Sequence, residues 1–162
     1  MLDLSRFAPP GIDWRKERNA LCWGLAGQSV YSMQFLLRFV SARSALYWIN
    51  GSYRKLKEDV AMVDFETLLE GVFLGVPVFW LAALGFALWH YGYHHMESKS
   101  IYLMRRLPDS RERHRRCWAL PAAACALSLL SAFALLMLYY GIYMAFTPEQ
   151  CLTPGQWQKL WR

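Results

Sequence analysis

Hydrophobic residues in this chain are collected into long runs, whereas an amphipathic helix or strand of a soluble protein would space them periodically. Two runs, residues 71–91 and 118–146, contain no Asp, Glu, Lys or Arg. About 20 apolar residues in helical conformation cross a hydrocarbon core of about 30 Å, so both runs predict membrane-spanning helices. A third run, residues 19–40, is weaker because it includes Gln28, Gln34 and Arg38.

The pattern predicts an all-α integral membrane protein with about three transmembrane helices and interfacial amphipathic segments. In chain order we expect an interfacial N-terminal segment (1–18), a first transmembrane helix (19–40), a connector with interfacial helices (41–70), a second transmembrane helix (71–95), a basic loop (96–117), a third transmembrane helix (118–146) and a C-terminal tail (147–162) along the interface. The N-terminus does not have the pattern of a signal peptide.

Individual residues predict where helices begin, bend and end. Asp64 is a candidate N-cap for the helix that follows it. Pro77 should kink the second span or loosen its first turns. Pro121 suits the first turn of the third span, and Thr147-Pro148 should end that span. Asn50-Gly51-Ser52 predicts a turn within the connector.

Polar residues of the first span fall on one side of the predicted helix, which we call the polar stripe. At 100° per residue its members share about a third of the circumference with Gly27; they are Gly24, Gln28, Tyr31, Gln34 and Arg38. The small residues Gly24 and Gly27 should let the backbone of a partner helix approach closely. Polar groups facing lipid are costly, so the stripe should face other helices or a hydrated cavity. Three interpretations remain open. The stripe could provide packing contacts, with Arg38 reaching the headgroups, or it could face a substrate. The helix could also lie on the membrane without crossing it.

Charge indicates how the chain is oriented. The 162 residues carry a net charge of +6, and the cations cluster near span ends, which favours topology and lipid headgroups over nucleic acid. The basic loop contains Lys99, Arg105, Arg106, Arg111, Arg113, Arg115 and Arg116. Such a cluster between two spans marks a cytoplasmic loop. We therefore expect a multi-pass protein of the inner (cytoplasmic) membrane, with its N-terminus inside and its C-terminus outside. The connector, with four cations offset by acids, is the weak point of this orientation.

Residues that could carry chemistry are few. His90 and His94 can share a helical face and His95 follows them, but no carboxylate or thiolate lies at matching spacing, so a structural interpretation is favoured over a metal site or a pH sensor. The four cysteines form no C-x-x-C pair. No Ser-His-Asp order, Gly-rich phosphate loop or H-E-x-x-H motif is present. We predict no enzyme activity, no metal and no cofactor.

The basic loop contains a short motif, which we call the docking motif: Arg105, Arg106, Leu107, Pro108, Asp109 and Arg111. Guanidinium groups bind carboxylates of a partner or phosphates of lipids in bidentate fashion. Both the motif and the order of segments resemble the first half of a type-2 permease of ATP-binding cassette (ABC) exporters. In that family a similar loop forms the coupling helix that contacts the ATPase subunit, so the resemblance implies that these six residues bind a separate ABC ATPase.

The number of spans departs from this family, whose members usually have six. Three spans imply a homodimer or other oligomer, a split permease with a second permease subunit, or an accessory subunit beside a complete permease. The alternative is a membrane scaffold or assembly factor that does not transport and whose loop recruits another protein or anionic lipid.

Overall fold

The computed structural model describes residues 14–50, 53–57, 60–96 and 110–160. In chain order the elements are α1 (Trp14–Ser32), α2 (Gln34–Ala45), β1 (Tyr47–Asn50), β2 (Tyr53–Leu56), α3 (Phe65–Leu69), α4 (Gly75–Met96), α5 (Ser110–Phe146), a 3-10 turn (Glu149–Cys151) and α6 (Gln156–Lys159). Helix dominates this part of the chain, which confirms the predicted all-α class at that level.

The helical stretch that contains the first hydrophobic run is longer than the predicted span of residues 19–40. Helix begins at Trp14 and continues to Ala45, interrupted only at Met33, whose backbone stays near helical values (φ −64°, ψ −13°). The charged residues at the start of α1 do not stop the helix because Lys, Arg and Glu are good helix formers.

The connector differs from the prediction of short interfacial helices. Residues 41–45 continue α2, and an antiparallel hairpin follows in which Tyr47 pairs with Leu56 and Asn50 with Tyr53. Aromatic and β-branched residues favour strands, and this preference outweighs amphipathic helix formation here. Only the five-residue α3 is helical in the described remainder of the connector.

The two prolines of the apolar helices have different positions. Pro77 lies in the first turn of α4, where a proline is tolerated, because that helix begins at Gly75. Pro121 was predicted for a first turn, but α5 begins at Ser110, so this proline lies inside the helix. The basic residues before it join the helix because they too have high helix propensity. The predicted end of the third span is confirmed, since α5 stops at Phe146.

Among the described residues, one helix is long and apolar enough to cross a membrane. It is the 29-residue segment Trp118–Phe146 of α5, and its most apolar stretch has a mean hydropathy of 2.1 with only 17% of that stretch buried. A core helix of a soluble protein would be mostly buried. The apolar part of α4, Gly75–Trp89, is too short to meet the same criterion. The first and second spans therefore stay predictions.

The chain divides into two compact units. The first unit comprises Met1–Gln28 and Val76–Ser131, and the second comprises Ser29–Gly75 and Ala132–Arg162. In the first unit, a small cluster of Leu21, Phe79 and Ala124 joins α1, α4 and α5.

Aromatic rings form the centre of the larger core in the second unit. Phe35 stacks on Tyr139 with ring centroids 4.6 Å apart and meets Phe65 edge to face at 5.6 Å. The ring centroids of Tyr143 and Phe65 are 5.4 Å apart, so α2, α3 and the end of α5 share one cluster. Offset and edge-to-face aromatic pairs are worth about 0.5–1.5 kcal/mol each beyond their buried area.

Candidate functional site

The docking motif lies almost wholly outside the described residues. Arg105, Arg106, Leu107, Pro108 and Asp109 precede the start of α5 at Ser110. Arg111 belongs to the first turn of that helix, and its side chain is outside the described set. The described groups that bear on function are therefore the polar stripe and the contacts that connect the connector to the tail.

Gly24 of the polar stripe allows two helices to approach closely. A Cβ atom added at this position would lie 2.8 Å from Cε2 of Phe79 and 2.9 Å from its Cδ2, both far inside van der Waals contact. Phe79, on α4, is buried. A Cβ atom added at Gly27, one turn further along α1, would have no other atom within 4 Å. The expected close approach is therefore present at Gly24 and absent at Gly27.

Gln28 makes a two-point contact with α5. Its Oε1 accepts a hydrogen bond from Ser128 Oγ at 2.6 Å, and its Nε2 donates to the Ser128 carbonyl at 3.3 Å. Ser131 donates to the same carbonyl at 2.9 Å. Gln28 and Ser128 are both buried, so their polar atoms are satisfied within the protein. This contact fits the packing interpretation of the polar stripe.

Two further members of the polar stripe cover the turn that joins α3 to α4. Gln34 Nε2 donates to the Gly71 carbonyl at 3.3 Å, and the Arg38 guanidinium donates to the Glu70 carbonyl. Gly71 has φ of 75°, a left-handed conformation that favours glycine. Carbonyls at the end of a helix have no intrahelical hydrogen-bond donors. Gln34 and Arg38, one turn apart on α2, donate hydrogen bonds to two carbonyls just after α3.

Tyr31 is the member of the polar stripe that does not join these contacts, since its side chain is 46% exposed. The wheel argument missed its neighbour Ser32, which is buried. Ser32 Oγ donates to the Ser29 carbonyl at 2.7 Å and lies 3.0 Å from the Tyr139 hydroxyl. A serine hydroxyl has one hydrogen, so Tyr139 is the donor to Ser32. Ser128 was also missed, although its one-turn spacing from Ser131 in a Leu-rich run was a signal.

The connector and the tail are held together by a group of polar side chains around Asp64, which we call the Asp64 cluster. Asp64 accepts hydrogen bonds from Lys159 Nζ at 2.9 Å, Gln156 Nε2 at 2.9 Å and Thr153 Oγ1 at 2.8 Å. The backbone adds a bond from the Met62 N–H to the Cys151 carbonyl at 2.9 Å. Residues almost 100 positions apart in sequence are thus in direct contact.

Asp64 occupies the predicted N-cap position of α3 but does not cap that helix. Gln156 does so instead, because its buried side chain accepts the Phe65 N–H at 2.9 Å through Oε1. Hydrogen bonds from Lys159, Gln156 and Thr153 lower the pKa of Asp64 from 3.8 to about 2. Cys151 and Gln156 of the tail are buried, and Cys151 belongs to the same core cluster as connector residues. The position of the tail along the interface stays a prediction.

The described residues offer no group of three His, Cys, Asp or Glu side chains that could hold a metal ion, and the side chains of His90, His94 and His95 lie outside them. Cys22, Cys125 and Cys151 are free thiols. No family model, no curated protein and no solved structure matches the chain.

Proposed function

We propose that the chain is a multi-pass subunit of the inner membrane that acts as a permease or accessory subunit of an ABC-type exporter. A separate ATPase would dock at the docking motif, and this chain itself would hydrolyse nothing. The observation that carries the multi-pass part of the proposal is the contact between connector and tail, because it constrains which segments share a side of the membrane. The exporter part rests on the resemblance of the docking motif and of the order of segments.

The argument counts membrane crossings. Asp64 and Lys159 form an ion pair at 2.9 Å, so the connector and the tail lie on the same side of any membrane. If Trp118–Phe146 crosses the membrane once, the chain must cross an odd number of further times between residues 64 and 118. We assign the second crossing in that interval to α4, whose 22 helical residues extend about 33 Å and whose apolar part is Gly75–Trp89. The basic loop then lies on the opposite side from both the connector and the tail.

The distribution of cations supports an inside position for the basic loop. Seven Lys and Arg residues lie within it, whereas the tail has only Lys159 and Arg162. Cations of the connector argue against placing this segment outside, but two of them make contacts within the protein. Lys57 Nζ donates to the Ala45 carbonyl at 2.8 Å, and Arg43 lies over the Phe146 ring at 5.7 Å. Cations engaged by the protein in this way are part of its fold as well as topology signals.

The polar stripe favours the accessory-subunit form over a chain that carries its own substrate path. Gln28, Gln34 and Arg38 use their polar atoms on neighbouring helices and turns, as packing contacts do. The scaffold alternative shares this feature, and it differs only in what binds to the docking motif.

Affinity purification from a mild detergent tests the proposal. We expect a stoichiometric ATP-binding protein to co-purify with the wild type and to be lost in the triple variant Arg105→Glu, Arg106→Glu, Arg111→Glu. The matched control is Arg15→Glu, Lys16→Glu, Arg18→Glu, which makes the same charge change on the same proposed side and should retain the ATPase. Recovery of no nucleotide-binding protein with the wild type would favour the scaffold.

The topology has its own test in intact cells. In a cysteine-free background, cysteines introduced at Lys57 and Gln158 should react with a membrane-impermeant maleimide, and one at Ser110 should not. Labelling at Lys57 without labelling at Gln158 would contradict the crossing argument. Labelling at Ser110 would exclude a cytoplasmic docking motif.

A further inference from the structure

An open apolar groove runs along α4 and α5 within the first unit. We call it the Trp118 groove, and its main lining residues are Trp80 and Leu84 on α4 and Trp118, Ala122 and Leu129 on α5, all of them exposed. Its volume of about 410 Å³ lies within the about 300–1,000 Å³ of small-molecule sites. The described residues that line it include no charged side chain and no Ser, Thr, Asn, Gln or His, so an apolar group is the occupant that gains free energy there.

The groove has the depth of one membrane leaflet. Its lining on α5 runs from Trp118 to Leu129, which is about 16 Å along the helix axis at about 1.5 Å per residue. A hydrocarbon core of about 30 Å gives each leaflet about 15 Å. Trp118 is also the first residue of the segment of α5 that is long and apolar enough to cross a membrane. The groove therefore matches the leaflet next to the basic loop, where the acyl chains of lipids lie alongside the helix.

Positive charge continues the groove side of α5 towards the basic loop. The helix begins at Ser110, and at 100° per residue the positions of Arg111 and Arg115 fall within about 50° of the mean direction of the groove residues of α5. Arg115 lies three residues before Trp118, which is about 4.5 Å along the axis. A negatively charged group at these two arginine positions would be adjacent to the occupant of the groove.

A phospholipid has both of the features that this surface would bind. Its acyl chain is apolar, and its phosphate forms bidentate hydrogen bonds with guanidinium groups. Basic sites beside transmembrane helices bind anionic headgroups. A second copy of this chain fits less well, because in the same orientation it would bring its own Arg111 and Arg115 to the same depth, and like charges repel. The charge of the site therefore favours an anionic lipid over a second copy.

We propose that the Trp118 groove and the arginines at positions 111 and 115 form one site for an anionic phospholipid, with an acyl chain in the groove and the headgroup phosphate at the arginines. This inference goes beyond the proposed function and rests only on its membrane-spanning part. Arg111 is shared with the docking motif, and the other five residues of that motif and the ATPase take no part in the lipid site.

Tryptophan fluorescence of the purified chain in phosphatidylcholine vesicles tests the site without any ATPase. A minor fraction of the lipid, either phosphatidylglycerol or phosphatidylcholine, carries bromine on its acyl chains, and bromine quenches nearby indoles. We expect brominated phosphatidylglycerol to quench the wild type more strongly than brominated phosphatidylcholine does, and this excess quenching is the readout. Trp118→Phe should remove most of the excess. Trp23→Phe, which removes an indole that is 78% exposed on α1, should leave it unchanged.

A matched pair of arginine variants separates the site from general attraction to anionic lipid. Arg111→Gln with Arg115→Gln should lower the preference for phosphatidylglycerol at least about fivefold, which is the contribution of about one cation near a membrane surface. Arg113→Gln with Arg116→Gln makes the same charge change at positions about 140–160° away around the helix, so this control should retain the preference.

A second matched pair changes the groove itself. Ala122→Phe fills the groove and should abolish the excess quenching. Ala123→Phe adds the same ring at the adjacent position, which is exposed and outside the lining, and should retain it. If Ala122→Phe does not insert into vesicles, Ala126→Phe takes its place, since that residue also lines the groove.

Several results would overturn the lipid site. They are equal quenching of the wild type by the two brominated lipids, an equal loss of preference in both arginine variants, and excess quenching that survives filling of the groove. Quenching of Trp118 by neither lipid would also overturn it, because protein such as a second copy would then cover the groove. If the preference behaves as expected and no ATPase co-purifies, the exporter proposal fails and the lipid site stands.

Discussion

Gly24 and Gly27 provide a matched pair of substitutions on one helix, and the structure predicts opposite effects for them. Replacing a helical glycine by alanine stabilises a helix by about 1 kcal/mol through propensity alone, and this gain applies to both positions. At Gly27 there is open space around the new Cβ, so only the gain remains. Gly27→Ala should therefore be neutral or stabilising by up to about 1 kcal/mol.

At Gly24 the same methyl group meets Phe79. The Cβ would lie 2.8 Å from the ring, against about 3.5–4.0 Å for an optimal carbon–carbon contact, so the ring or the helix must move by about 1 Å. Phe79 is only 6% exposed and cannot rotate freely into solvent or lipid. Overpacking of this kind costs about 1–3 kcal/mol. We expect Gly24→Ala to be less stable than Gly27→Ala by about that amount.

Unfolding by SDS in mixed micelles, followed by far-UV circular dichroism, measures this difference. The double variant Gly24→Ala, Phe79→Leu should recover part of the loss, because a smaller side chain leaves room for the methyl group. The explanation is refuted if Gly24→Ala is as stable as Gly27→Ala. It is also refuted if Phe79→Leu lowers stability equally with and without the alanine.

Further predictions concern the two polar contacts. Because the pKa of Asp64 is lowered in the folded state, its carboxylate stabilises the fold fully above about pH 4, and this stabilisation is lost as the pH falls through about 2. Allowing for the partial exposure of the Asp64 side chain, Asp64→Asn should lower the free energy of unfolding by about 1 kcal/mol at pH 7. Unfolding and faster hydrogen exchange of the Phe65 N–H measure this loss. For Gln28 and Ser128, a double-mutant cycle with Gln28→Leu and Ser128→Ala should give a coupling of about 0.6–1.7 kcal/mol in the SDS assay.

Each of these predictions has a control within the chain. Glu66→Gln removes the same charge from an exposed neighbour of Asp64 and should change stability by less than about 0.5 kcal/mol. Ser131→Ala should couple to Gln28 more weakly than Ser128→Ala does, since its hydroxyl meets the glutamine only through the shared Ser128 carbonyl. Equal effects of Asp64→Asn and Glu66→Gln would mean that the Asp64 cluster adds no stability. A coupling to Gln28 as large for Ser131 as for Ser128 would contradict the two-point contact.

The sequence by itself determined the helical class, the end of α5 after Phe146 and the side of α1 on which Gly24 and Gln28 lie. These features follow from local properties: runs of apolar residues, a Thr-Pro stop and the 100° step of a helix. The same local rules failed where two conformations compete closely, as in the hairpin at Tyr47–Asn50, and where a proline is tolerated inside a long helix, as at Pro121.

Only the tertiary structure decided what each polar side chain binds. Asp64 looked like a helix cap, yet its carboxylate binds the tail while Gln156 caps the helix. The contact between connector and tail, on which the proposed membrane topology rests, joins segments almost 100 residues apart. No local pattern encodes such a pairing, because it arises only when α2, α3 and the end of α5 bury their aromatic rings together and bring the two segments into reach.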